Sequence, residues 1–170
     1  MRLFIAIVLD ENMTDALEEM QDDLMRVGIK GGYTRPENLH ITLAFLGEND
    51  EPEKAIEVMR DVPLKSFNIK VAGTRRFKDM VFANVEENQA LYDYVKRLRK
   101  ALSENDIEYD MKKFMPHITL VRRATGNKEF PVQYEIATEE TMRVKGISLM
   151  KSERGKHGMV YTEIGYVRAF

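Results

Sequence analysis

His40-Ile41-Thr42-Leu43 and His117-Ile118-Thr119-Leu120 are the same tetrapeptide, 77 residues apart in a chain of 170. A chain of this length offers about 0.1 chance repeats of a tetrapeptide, so repetition alone is weak. This one uses two of the three histidines, recurs near half the chain length, and sits in strand-like sequence both times. Residues i and i+2 of a strand share a face. His40 and Thr42 therefore point one way while Ile41 and Leu43 point into a core. His117 and Thr119 do the same in front of Ile118 and Leu120. If the two halves form lobes related by an approximate twofold, both His–Thr pairs face one cleft.

Working outward, Met1–Leu9 reads as a buried strand. Asn12–Val27 reads as an amphipathic helix with Met13, Leu17, Met20, Leu24 and Val27 on one face, Asn12 as cap and Gly28 after its end. Gly31–Pro36 reads as a turn leading into an extended segment, His40–Leu46 as a strand, and Pro52–Asp61 as a short helix opened by proline. Phe67–Phe77 and Met80–Glu86 form a hairpin around Lys78-Asp79. Gln89–Ser103 is a second long helix, with Leu91, Val95, Leu98 and Leu102 aligned. Phe114–Arg122 is a strand. Thr125–Glu140 is read as loop, with room for one helical turn. Met142–Lys151 and Met159–Val167 form a second hairpin around Glu153–Gly158. Each half thus holds a long helix, one copy of the tetrapeptide and a closing hairpin. That order predicts an α+β fold of two related lobes about a pseudo-twofold. Each lobe is an antiparallel sheet with helices on its outer face, and the active-site cleft lies between them. No linker composition divides the chain, which reads as a single domain over 1–170 with approximate lobes 1–86 and 87–170 that can exchange strands.

Composition narrows the function. Hydrophobic residues make up 44% of the chain, enough for a real core. Twenty-six basic against 28 acidic residues leave a net charge of −2, which excludes a polycationic coat protein but permits a local basic site. There are no cysteines, so disulfides, a thiolate nucleophile and Cys-ligated metal are excluded. The longest apolar runs, such as Leu3–Leu9, are far below the ~20 residues of a membrane span. The apolar start lacks a small-residue cleavage site and reads as a strand, which points to a cytoplasmic protein without a membrane partner.

Two imidazoles and two hydroxyls facing one cleft suit a phosphate centre. Neutral imidazole takes a proton from water, and imidazolium returns one to a leaving oxygen. Threonine hydroxyls can donate to non-bridging oxygens. No carboxylate stands at metal-ligand spacing near either motif, and His157 lies in a Gly- and Lys-rich turn that reads as surface. No metal and no cofactor are expected.

The paired H-x-T-x motifs resemble those of the 2H phosphoesterase superfamily. Arg35–Gly47 around the first motif and Met115–Arg122 around the second resemble its RNA 2′,3′-cyclic phosphodiesterases, historically called 2′-5′ RNA ligases. The Phe4-Ile5-Ala6 start fits the same family. The resemblance implies His40 as proton donor, His117 as proton acceptor, and Thr42, Thr119 and Arg122 as phosphate-binding groups. Phe45 would stack on the terminal nucleobase. Phe45 and Arg122 each lie five residues after a histidine, the wrong parity for a regular strand. Both reach the cleft only if each strand bulges or ends there. The implied reaction hydrolyses an RNA 2′,3′-cyclic phosphate end to a 2′-phosphomonoester, with reversible ATP-independent 2′-5′ ligation at the same site. The implied partner is RNA with a cyclic phosphate terminus, tRNA fragments included, and the protein is expected to be monomeric.

Two alternatives stand beside this one. One is a 2H hydrolase of a small cyclic phosphate such as an ADP-ribose cyclic phosphate. The other is a non-catalytic RNA-end binding module. Met111–Lys128 carries Lys112, Lys113, Arg122, Arg123 and Lys128 without an acid, and Met142–His157 carries five bases against Glu153. With Arg75, Arg76 and Lys78 on the other hairpin, these segments could guide an RNA backbone to the cleft.

Overall fold

Two antiparallel sheets carry one copy each of the repeated tetrapeptide. The computed structural model describes residues 1–126, the backbone of 133–134, and 140–170. The strands are β1 (Arg2–Val8), β2 (Ile29–Tyr33), β3 (His40–Glu48), β4 (Phe67–Phe77), β5 (Met80–Val85), β6 (His117–Gly126), β7 (Gln133–Tyr134), β8 (Thr141–Val144), β9 (Gly146–Gly155) and β10 (Gly158–Arg168). The helices are α1 (Glu11–Arg26), α2 (Pro52–Asp61) and α3 (Gln89–Glu104). One sheet runs β10-β9-β1-β3 and the other β2-β6-β5-β4-β7, with β8 pairing β4 off that path. β1 stands beside β3 as β5 stands beside β6, which is the expected pseudo-twofold.

Neither sheet belongs to one half of the sequence. The first joins β1 and β3 to β9 and β10, and the second joins β2, β4 and β5 to β6 and β7. The lobes are therefore woven from both halves rather than divided at residue 86. Helices α2 and α3 pack against β10 and β3 of the first sheet, and α1 packs against β2 and β6 of the second. Ile41, Leu43, Ile118 and Leu120 join Leu17, Met20, Leu98 and Leu102 in the main core, all fully buried. The opposite faces of the two sheets meet across the cleft.

Local chemistry explains most boundaries and several departures from the sequence reading. Helix α1 is capped by Asp10 rather than Asn12, the Asp10 carboxylate accepting from Met13 N at 2.8 Å. Asn12 lies inside the first turn. Asn88 caps α3 in the same way, accepting from Leu91 N at 3.1 Å. The Gly31–Gly32 stretch is not a turn but part of β2, paired with β6. Its glycines permit close approach, since a Cβ at Gly31 would stand 2.7 Å from the Arg122 carbonyl oxygen. Met142–Lys151 is two strands, because the chain leaves β4 after Val144 and joins β1 and β10 from Gly146. β6 starts at His117 rather than Phe114. Most of the Thr125–Glu140 loop lies outside the described residues. No helix among the described residues is long and apolar enough to cross a membrane.

Candidate active site

Parity decides whether Phe45 and Arg122 can join the histidines. In β3, Ile5 pairs with Ala44 and Ala6 with Thr42, so Leu43 has no partner on β1. In β6, Val81 pairs with Val121 and Phe82 with Thr119, so Leu120 has no partner on β5. Each strand therefore bulges three residues after its histidine. Leu43-Ala44 and Leu120-Val121 both point inward and are fully buried. The phase then shifts, and the residue five after each histidine emerges on the histidine's face. His40, Thr42, Phe45, His117, Thr119 and Arg122 all line one cavity of about 470 Å³ between the sheets.

The two histidines are held alike. His40 Nδ1 lies 2.7 Å from the Asn38 carbonyl oxygen, and His117 Nδ1 lies 2.7 Å from that of Met115. A carbonyl only accepts, so each Nδ1 carries the hydrogen and Nε2 is the basic nitrogen of the neutral ring. His40 Nε2 is 2.8 Å from Thr42 Oγ1. The carbonyl behind His40 is itself fixed, because Asn38 Nδ2 and Arg35 Nη2 both donate to Met159 O, at 2.9 and 2.6 Å.

Each imidazole also rests on a phenylalanine from the neighbouring strand. Phe4 of β1 lies 5.0 Å from His40, and Phe82 of β5 lies 4.1 Å from His117, centroid to centroid. Tyr161 of β10 meets His40 edge-on at 5.3 Å. These rings remove water, and burial is the first cause holding both histidines below the ordinary imidazole range. The bonds to Asn38 and Met115 pull back the other way. Arg122 disfavours the charged form of both rings, joined by His117 at His40 and by Arg75 at His117. Phe4, Phe82 and Tyr161 escaped the sequence reading, and Arg75 entered it only as a surface guide. Phe4 sits in a strand that is apolar from Leu3 to Val8 and whose sequence shows no alternation. Phe82 and Tyr161 reach the cleft only through sheet pairings remote in sequence.

A second chamber of about 380 Å³ opens beyond the first, with His40, Thr119, Arg122 and Tyr161 lining both. Its other side chains include Arg35, Arg123, Arg154 and Lys156, and among the described residues no acid lines it. His157 is exposed at its rim. Among the described residues, no group of three or more His, Asp or Glu side chains is placed to hold a metal ion.

The sequence profile of the 2′-5′ RNA ligase superfamily matches residues 8–156, a span containing both His–Thr strands. The chain belongs to that superfamily. An RNA 2′,3′-cyclic phosphodiesterase from Thermotoga maritima is 34% identical over 150 residues, covering 82% of this chain and 77% of the relative. A protein of the same name from Methanothermobacter thermautotrophicus is 29% identical over 185 residues, covering 98% of each. Among solved structures, TT0787 of Thermus thermophilus superimposes with a TM-score of 0.84 at 28% identity, over 99% of this chain and 97% of that one. This member of the 2′-5′ RNA ligase superfamily therefore shares its two-sheet frame with relatives along essentially its whole length.

Proposed function

We propose that this protein is an RNA 2′,3′-cyclic phosphodiesterase that opens a terminal cyclic phosphate to a 2′-phosphomonoester. The observation that carries this reading is the convergence of two His–Thr pairs, each with Nδ1 anchored on a carbonyl, on one cavity. Membership of the superfamily and the names of the relatives supply the RNA substrate. His117 takes a proton from water as the oxygen attacks phosphorus. The P–O3′ bond breaks, and His40 gives its proton to O3′. Thr42, Thr119 and Arg122 meet the charge that builds on the equatorial oxygens. Burial disfavours the charged form of both rings, and the anionic phosphate supplies the opposing field that favours a proton on His40. Arg75 adds a cation beside His117, which suits the group that must start neutral. Phe45 forms the wall on which the terminal base stacks, and the basic second chamber suits the backbone of a polynucleotide. Run forward with a 5′-hydroxyl end in place of water, the same groups form a 2′-5′ link without ATP: the 5′-oxygen attacks phosphorus as His117 takes its proton, and the P–O3′ bond breaks as His40 protonates O3′.

The test is incubation with an oligoribonucleotide bearing a 2′,3′-cyclic phosphate, in excess EDTA, with the product identified. A 2′-phosphomonoester is expected. A 3′-phosphomonoester, an unchanged end, or activity that needs added metal would overturn the reading. Equal efficiency on a cyclic mononucleotide and an oligomer, without a salt effect, would move the substrate to a small cyclic phosphate.

A further inference from the structure

A strand bulge leaves a backbone carbonyl outside the ladder, and a buried carbonyl without a donor is costly. The bulge residue of β3 is Leu43, and among the described residues β3 is an edge strand of its sheet. Its carbonyl oxygen accepts instead from Arg99 of α3, from Nε at 3.1 Å and Nη2 at 3.0 Å. The remaining nitrogen, Arg99 Nη1, donates to Lys112 O at 2.8 Å. The guanidinium also meets the rings of Tyr109 and Phe114, whose centroids lie 5.5 and 5.6 Å from its central carbon. Close by, Asp110 N donates to Phe45 O at 2.8 Å. Arg99 therefore ties the Phe45 strand to the Lys112–Phe114 rim, and both border the cavity.

The bulge of β6 is served from the other helix. Leu120 O accepts from Gln21 Nε2 at 3.1 Å and from Thr34 N at 2.9 Å. The Gln21 amide also donates to Thr34 O at 2.8 Å. Gln21 is a buried polar residue on the apolar face of α1, only 5% exposed. Thr34 Oγ1 secures the preceding carbonyl, Thr119 O, at 2.7 Å. A helix from the first half thus holds the second His–Thr strand, and a helix from the second half holds the first.

We propose that Arg99 and Gln21 are positioning residues that clamp the twin bulges, Arg99 orienting Phe45 and Gln21 orienting Arg122. The catalytic consequence rests on the proposed function, in which Phe45 binds the base and Arg122 the phosphate. The clamp itself does not. Without Arg99 the β3 bulge loses two of its donors, and the regular register, which turns the fifth residue away from the cleft, becomes accessible.

The test uses the full chain labelled with 4-fluorophenylalanine, the Phe45 resonance being assigned among eight phenylalanines by its loss in Phe45→Leu. Arg99→Met keeps the stem and removes every donor. Arg99→Lys keeps the charge but replaces the planar fork by one ammonium nitrogen, and serves if the methionine variant does not fold. The Phe45 resonance is expected to move in these variants. KM for a cyclic mononucleotide should rise roughly tenfold with kcat within about twofold, as for loss of a stacking wall. Arg99→Met should add little in a Phe45→Ala background. Gln21→Met should instead lower kcat, and add little in an Arg122→Ala background. An unmoved Phe45 resonance in both Arg99 variants, or penalties that multiply with those of Phe45→Ala, would overturn the clamp. A moved resonance with KM unchanged in Phe45→Ala itself would sustain the clamp and overturn the base-stacking reading.

Discussion

Replacing Phe45 by alanine tests the substrate reading with a magnitude that the structure supplies. The ring leans on Phe4 at 5.9 Å between centroids and is 50% exposed, so about half of its surface faces the cavity. A phenylalanine of ~200 Å² then has about 100 Å² to cover, worth about 2.5 kcal/mol at ~25 cal/mol per Å² if a base covered all of it. A base lying on one face covers about half of that, or roughly 1.3 kcal/mol, inside the ~1–3 kcal/mol range for base–aromatic stacking. KM for a cyclic mononucleotide should therefore rise roughly tenfold. Turnover at saturation should stay within about twofold, because neither proton-transfer group is touched. Phe4, buried at 3% exposure behind the ring, becomes the new floor and keeps the loss from growing larger. Saturation curves for the wild type, Phe45→Ala and Phe45→Leu measure this, with leucine falling between the other two. A KM within twofold of wild type in a folded Phe45→Ala would refute the stacking wall.

Further outcomes concern the charged groups. His40→Ala and His117→Ala should each lower turnover by ~10² or more, and the double variant should be far less than multiplicatively worse, in single-turnover assays of folded protein. Arg122→Ala should lower the rate at saturating substrate, unlike Phe45→Ala, since its contact strengthens as charge develops; kcat measured side by side decides. Both histidines titrate below the ordinary value of 6.5 in the folded protein, so the unfolded chain binds more protons as pH falls past that value. Unfolding free energy from urea titrations should therefore decrease from pH 7.5 to 5.5, and His40→Gln should flatten the slope. The pH–rate profile should lose activity on the acid side, and Arg75→Met should move that limb upward by removing a cation that opposes the charge on His117.

The repeated tetrapeptide made the centre legible because strand alternation carries two residues to one face without tertiary information. The wrong parity of Phe45 and Arg122 was equally informative: it called for each strand to bulge or to end there, and the structure has bulges, at Leu43 and Leu120. What stayed hidden depends on neighbours remote in sequence. Gly31 and Gly32 read as a turn because the Arg122 and Arg123 carbonyls that exclude a Cβ lie elsewhere in the chain. Met142–Lys151 read as one strand because its sequence does not mark the change of sheet at Lys145. Arg99 gives no local sign of its task, being one more base on a charged helix. Gln21 does give one, since it falls four residues after Leu17 on the buried stripe of α1. A polar side chain there needs partners, but the sequence does not name them.

The weaving of the two sheets also governs when a nascent chain can become active. β1 lies between β3 and β9, so the sheet that carries His40 lacks one of its inner strands until residues 146–155 have been made. Tyr161, which steadies the His40 ring, comes later still. Pairings of such sequence separation close slowly and leave strand edges bare in the meantime. The first histidine motif is thus translated early but acquires its setting almost last. A ribosome-bound chain carrying both motifs but not the β9–β10 hairpin has both His–Thr pairs and no assembled cleft.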